Sequence, residues 1–310
     1  MTIMNRRYSG YEDFLKIREF LEECVSITGP KFYMNLGFFD FHWVSNFSSE
    51  NYINGLDEMF KDVHLWFEDN KLIGGFWPWG SEMNIFIHPN KKSFFKEMVD
   101  VAEVTVKETM AENDKEENVQ WEIFDGDVEL EEVLKEKGYR KNEEYRPHRV
   151  FKYNGSIEIP ELPEGYYIKT LKEISDKDRL FEVYRRCLGM NINEAYLENI
   201  TKTSTYRNEL DVLVMGSDHK VAAFCSGQYD KKNKMASFEA VACSSDHRKK
   251  GLSKVMMLTA LRNAQVLGAE SATIQTSWQK AHPAPNRLYE SVGFELVGNL
   301  YFWEKSLTNV

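Results

Sequence analysis

The chain runs to 310 residues, 42% of them hydrophobic and 28% charged, with a formal net charge of −10. That length is too great for one ordinary core and suits two domains of about 150 residues each. No apolar run reaches the ~18 residues of a membrane span, and phosphate neutralisation by Lys and Arg supplies most non-specific nucleic-acid affinity, so the acidic balance disfavours a nucleic-acid partner.

In chain order, the opening "MTIMNRRYSGYEDFLKIREF" moves directly into charged amphipathic sequence without the apolar core of a signal peptide, and a cytoplasmic location is expected. The aromatic stretches "NLGFFDFHWVSNF" (35–47) and "GGFWPWG" (74–80) suit core and interdomain packing. "MNIFIHPNKKSFFKEMV" (83–99) is predicted as strand, loop and helix. At "YNGSIEIPELPEGYY" (153–167), Gly155, Pro160, Pro163 and Gly165 punctuate a stretch without helical periodicity, which marks a linker. Residues 1–155 carry 19 Lys and Arg against 30 Asp and Glu, a net −11, whereas 156–310 carry 20 against 19, a net +1. The halves therefore have different tasks.

Similarity across that linker points to a duplicated domain. "EDNKLIGGF" (68–76) matches "GSDHKVAAF" (216–224), and "LKEKGYRKN" (134–142) matches "LYESVGFEL" (288–296). The second copy is predicted helical near 175–200, then as strands near 210–216, 221–229 and 235–243, with Gly216, Ser217 and Asp218 supplying turn chemistry. A helix over 252–267 follows, apolar at Leu252, Val255, Met256, Leu258, Ala260, Leu261, Ala264 and Leu267 and stopped by Gly268; it should lie flat on a sheet. A strand over 270–278, a short helix over 283–292 with prolines in its first turn, and closing strands in "FELVGNLYFWEKSL" complete the chain. Strand, crossover helix and strand imply at least one parallel pair.

Four cysteines, at 24, 187, 225 and 243, lack paired spacing, and the histidines, among them His42, His88 and His282, form no ligand set, so free thiols and no metal site are expected. The stretch "SFEAVACSSDHRKKGLSK" (237–254) carries more chemistry. Its strand gives way to a basic turn that opens a helix, where the first N–H groups lack intrahelical partners and make an anion site. Gly251 permits close main-chain approach to a phosphate, and Arg248, Lys249 and Lys250 add charge. Alone, this pattern also describes a solvated basic turn at an ordinary helix start.

Together with "PAPNRLYESVGF" (283–294), the strand "FEAVAC" and the loop Arg248-Lys-Lys-Gly-Leu-Ser253 make residues 165–308 resemble the GCN5-related N-acetyltransferase superfamily. The resemblance implies two tandem α/β domains, each a mixed, mostly antiparallel sheet with helices on both faces: a degenerate copy over 1–155 and a catalytic, acetyl-CoA-binding copy over 156–310. It also implies that Arg248, Lys249, Lys250, Gly251, Leu252 and Ser253 cradle the pyrophosphate, that the Val241, Ala242 and Cys243 strand segment pairs with the pantetheine arm, and that Asn286 hydrogen-bonds the cofactor.

An ionised carboxylate in an apolar strand is costly unless paired, hydrogen-bonded or facing a wet cleft. Within the resemblance, Glu239 is the general base that takes a proton from an amine; the alternative is a buried carboxylate satisfied by a neighbouring Arg or Tyr. Tyr289 holds the position whose hydroxyl protonates the departing thiolate, or else simply plugs its helix against the sheet. His282 stands where relatives often have asparagine, as an accessory base or an exposed loop residue, and "SWQKA" (277–281) adds residues before it.

In the first copy Phe95 falls where Gly251 lies in the second, and no glycine occurs between Gly80 and Gly126, so a second cofactor site is not expected. The implied activity is acetyl transfer from acetyl-CoA to a primary amine of a small molecule or peptide by direct attack in a ternary complex. The alternatives are a non-catalytic acetyl-CoA-binding sensor or interaction module, and a tRNA-dependent aminoacyl transferase, the latter disfavoured by charge.

Overall fold

Two runs of elements follow nearly the same order. In the first, β1 (Ile3–Arg7), α1 (Tyr11–Thr28), α2 (Leu36–Ser45) and α3 (Tyr52–Phe60) precede β2 (His64–Glu68), β3 (Lys71–Trp79) and β4 (Glu82–Ile87), which lead through α4 (Phe95–Met110), β5 (Asn118–Phe124) and α5 (Val128–Glu136) to β6 (Arg140–Lys152). In the second, β7 (Tyr167–Thr170), α6 (Asp178–Leu188) and α7 (Glu194–Lys202) precede β8 (Val212–Met215), β9 (Val221–Asp230) and β10 (Met235–Cys243), then α8 (Leu252–Val266), β11 (Ser271–Gln275), α9 (Pro283–Ser291) and β12 (Glu295–Ser306). This is a computed structural model, and it describes residues 3–45, 52–110, 118–174, 177–276 and 280–307.

The duplication is visible at local turns. Gly138 and Gly293, at φ 83° and 99°, end α5 and α9 in the same way: Tyr139 N–H donates to Leu134 O and Phe294 N–H to Tyr289 O, both at 2.9 Å. The predicted helical region near 175–200 is two helices. Gly189 leaves α6 in the left-handed region at φ 70°, and the Asn193 side chain caps α7 by accepting from Tyr196 N–H.

The strands form one sheet in the order β1-β2-β3-β4-β5-β12-β6-β11-β10-β9-β8-β7. Among the described residues only β4–β5 and β10–β11 are parallel; the other pairs are antiparallel. The halves exchange their last strands: β12 pairs with β5 (Leu300↔Phe124) and β6 with β11 (Ser271↔Lys152), while β6 and β12 meet at the centre. The closing segment is thus one long strand with two register shifts rather than several strands.

Helices cover both faces. On one, α4 and α5 pack over the first half and α8 and α9 over the second, in two separate cores. On the other, residues of α1, α2 and α3 join those of α6 and α7, with Phe224 and Ala240, in a single core that spans both halves. The α8 helix is buried almost all round, including Met257 and Thr259, because the 153–166 segment lies beside it; Gln265 donates to Gly155 O. No described helix is long and apolar enough to cross a membrane.

Candidate active site

The site begins with a defect in strand pairing. On β10, Phe238 pairs with Gly227 but Val241 with Cys225, so the bulge falls on Glu239 and Ala240. A bulge reverses which face the following side chains take. Ala236 and Phe238 belong to the core under α8, but Ala240 belongs to the core on the opposite face, and Val241 and Cys243 turn back toward α8. Glu239 is the residue at which the strand turns over, and this is why a carboxylate is accommodated in an otherwise apolar run.

The parallel partner departs at the same level. Pairing of β10 with β11 ends at Ser237↔Thr273, so residues beyond it face an opening rather than a neighbouring strand. A cleft of about 950 Å³ lies there, lined by Val241, Ala242 and Cys243, by His247 through Lys254, by Cys187 and Leu188 from the end of α6, and by Ala281 through Pro285 with Tyr289. Every residue predicted for the cradle therefore lines one cavity. Cys243 is a protonated thiol at neutral pH, since burial raises its pKa against the opposing effects of the Ser253 hydroxyl and Arg248. Among the described residues the four cysteines are free.

The floor of the cleft is the start of α8. Gly251 caps it in the left-handed region at φ 79°, and Lys249 is also left-handed at φ 62°. The first helical bonds come from Lys254 and Val255 to Gly251 O, which leaves the N–H groups of Leu252 and Ser253 directed out of the helix start. Successive N–H groups in such turns make a concavity for an anion, reinforced by the helix dipole and here by the Arg248, Lys249 and Lys250 charges. Lys250 Nζ also donates to Tyr166 OH at 2.7 Å, and that hydroxyl lies 3.0 Å from His247 Nδ1.

The opposite wall is α9, which is held by a residue of the first half. Arg149 on β6 is almost fully buried; its guanidinium donates to Glu290 at 3.0 Å and to Thr276 Oγ1 at 3.4 Å. Thr276 in turn donates to Asn286 Oδ1, and Asn286 Nδ2 donates to His282 O. Asn286 is fully buried in this chain of bonds beneath the first turn of α9 and is not in the cleft lining, whereas His282 is exposed at the N-cap and lines it. Residues 277–279 of "SWQKA" lie outside the described residues. Tyr289 is buried, and burial followed by the Glu239 charge raises its hydroxyl pKa well above 10. At neutral pH it carries its proton.

Glu239 meets the first half directly. His42 on α2 places Nε2 3.8 Å from Glu239 Oε2, with the imidazole 4.0 Å from the Phe38 ring and edge-on to Trp79 at 5.6 Å. The helix that carries His42 is anchored by buried Asp40, which accepts from Arg18, from Thr205 Oγ1 at 2.6 Å and from Trp43 Nε1. Sequence spacing gave no signal for His42, because nothing in a helix near the start of the chain announces a partner on β10.

The corresponding place in the first copy is built differently. β4 and β5 also part after two residue pairs, Glu82↔Gln120 and Met83↔Trp121. Phe95, fully buried and edge-on to Trp121 at 5.1 Å, opens α4, and no residue from Pro89 to Phe94 has positive φ. Tyr33 occupies the parting: its hydroxyl donates to Asp127 at 2.6 Å beside Lys92, and its ring lies 5.1 Å from Phe124. The remaining recess of about 400 Å³ is bordered by Asp125, Asp127 and Glu129 together with Lys31 and Lys92.

Residues 177–294 match the Acetyltransferase (GNAT) family. No curated protein matches the sequence. Among solved structures, a GCN5-related N-acetyltransferase from Sphaerobacter thermophilus aligns over 98% of this chain and 95% of its own, with a TM-score of 0.68 at 15% identity. A tandem GNAT protein from the clavulanic acid biosynthesis pathway aligns over 98% of both chains at 0.67 and 12%. A GNAT-family acetyltransferase from Colwellia psychrerythraea aligns over 97% of this chain and 99% of its own at 0.58 and 11%. At these identities the likeness is one of fold. The chain thus carries a GNAT-family domain in its second half and has the tandem GNAT fold over its whole length.

Proposed function

We propose that residues 156–310 transfer an acetyl group from acetyl-CoA to a primary amine of a small molecule or peptide, by direct attack in a ternary complex. Residues 1–155 hold no cofactor and instead wall the acceptor side. The observation that carries this reading is the meeting of three features in one cleft: the parted β10–β11 edge, the left-handed loop at the start of α8, and Tyr289.

Acetyl-CoA supplies a thioester whose carbonyl carbon is open to attack. Arg248 through Ser253 hold its pyrophosphate, and the Val241 to Cys243 edge pairs with the pantetheine arm, which fixes the carbonyl near the Val241 N–H as donor to the developing oxyanion. Glu239 takes the ammonium proton so that the nitrogen can attack. Tyr289, protonated at neutral pH, donates to the leaving sulfur. Two groups with opposite proton tasks favour an enzyme over a binding module.

The test is acceptor-dependent thiol release from acetyl-CoA against a broad panel of amines. Release with at least one amine, and acetylated product in equal amount, is the expected result. Tight acetyl-CoA binding with no release for any amine would favour the sensor instead.

A further inference from the structure

We infer that His42, contributed by the degenerate first half, is a positioning residue that holds Glu239 and relays its proton to solvent. The inference rests on the proposed acetyl transfer and adds to it the task of the first copy.

Four observations carry it. The His42 Nε2 to Glu239 Oε2 separation of 3.8 Å is within ion-pair range and longer than a hydrogen bond, a gap that a small side-chain movement closes. Such contacts commonly tighten when substrate binds. Both side chains are partly buried, at 23% and 12% exposure, so the carboxylate is the more shielded of the two and the imidazole is the member of the pair that reaches solvent more readily. The imidazole plane is also set independently of Glu239, by Phe38 at 4.0 Å and the edge of Trp79 at 5.6 Å. Glu239 lies at the strand bulge, where backbone pairing constrains it least, and a partner from α2 supplies the missing constraint.

The proton balance is simple. An ammonium acceptor gives one proton to Glu239, which passes it to His42 Nε2 and so to water. The neutral nitrogen then bonds to the thioester carbon, the carbon–sulfur bond breaks with its electron pair on sulfur, and Tyr289 protonates that sulfur. The second nitrogen proton restores Tyr289 through solvent, so the products are an amide, a free thiol and one released proton.

The test uses the full chain and the thiol-release assay with wild type, His42→Phe, His42→Ala, Glu239→Gln and the His42→Ala/Glu239→Gln double variant. Acetyl-CoA titration of each variant serves as the check on folding. His42→Phe keeps a ring against Phe38 and is expected to lower kcat about 10²-fold with KM for acetyl-CoA unchanged. Added imidazole should restore His42→Ala by about 10-fold or more, and should do nothing for the double variant, whose kcat should match Glu239→Gln alone. Wild-type kcat in His42→Phe, additive losses in the double variant, or failure of imidazole to rescue while wild type is active would overturn the relay and leave acetyl transfer standing. A wild-type chain that binds acetyl-CoA but acetylates no amine would overturn both.

Discussion

Gly37 on α2 lies directly against Ser237 on β10: a Cβ on the glycine would overlap the serine Oγ and stand 3.0 Å from Gln228 Cβ and 3.3 Å from Ser237 Cβ. The serine hydroxyl can rotate away, but the two Cβ atoms are fixed by the strand backbone that carries them and cannot. Glycine here sets how closely the first half descends onto the second.

Replacing Gly37 with Val therefore lifts α2 from β9 and β10. Overpacking of this kind costs about 1–3 kcal/mol, and we expect Tm to fall by roughly 5 °C with a loss of activity larger than stability alone explains, because His42 moves away from Glu239. Thermal unfolding and kcat measured together check this; unchanged values for both would mean the contact is slack.

Glu239→Gln should keep acetyl-CoA affinity and lower kcat at pH 7 by roughly 10² to 10⁴, the usual worth of a general base. Part of the loss should return at high pH, where a free amine needs no base. Steady-state kinetics from pH 7 to 10 decide it, and wild-type kcat at pH 7 would make Glu239 a structural carboxylate.

Asp211 supplies a pH-dependent prediction away from the cleft. It is buried, accepts from Ser226 at 2.6 Å, and burial raises its pKa to about 7 from 3.8. A folded-state pKa above the unfolded value means that the stabilising protonation is complete below about pH 4 and is lost as pH rises through 7. At about 1.4 kcal/mol per pH unit, the wild type forfeits on the order of 4 kcal/mol across that window. Asp211→Asn does not titrate, so its stability relative to wild type should improve from about pH 4 to about pH 7 and level off above that. Urea unfolding at several pH values measures this, and a difference independent of pH would show that Asp211 is ionised in the folded protein.

Much of the second half was legible because its signals are local. The helix predicted at 252–267 runs from Leu252 to Val266, the strand at 235–243 matches β10, and the loop ending at Gly251 caps α8. Three features were not legible. The strand exchange was hidden by the duplication itself, since β5 and β11 offer chemically similar edges to β6 and β12 and periodicity cannot choose between them. The bulge was hidden because Phe238 and Ala240 alternate as an unbroken strand would, although they occupy opposite faces. His42 was read as part of an aromatic stretch and as one of the histidines without ligand spacing, and its pairing with Glu239 depends on how α2 crosses the second half of the sheet.

The strand exchange also decides how the central claim is tested. Each half lacks a strand that the other supplies, so the whole chain is the proper subject rather than either half. Titration of the full chain with acetyl-CoA by calorimetry addresses the claim most directly. The account predicts saturation at one equivalent per chain and loss of binding in Gly251→Asp, which places a carboxylate beside the anion site, whereas Phe95→Ala should leave the single site unchanged. Two equivalents, or unchanged binding in a folded Gly251→Asp variant, would contradict the assignment of one cofactor cleft at the start of α8.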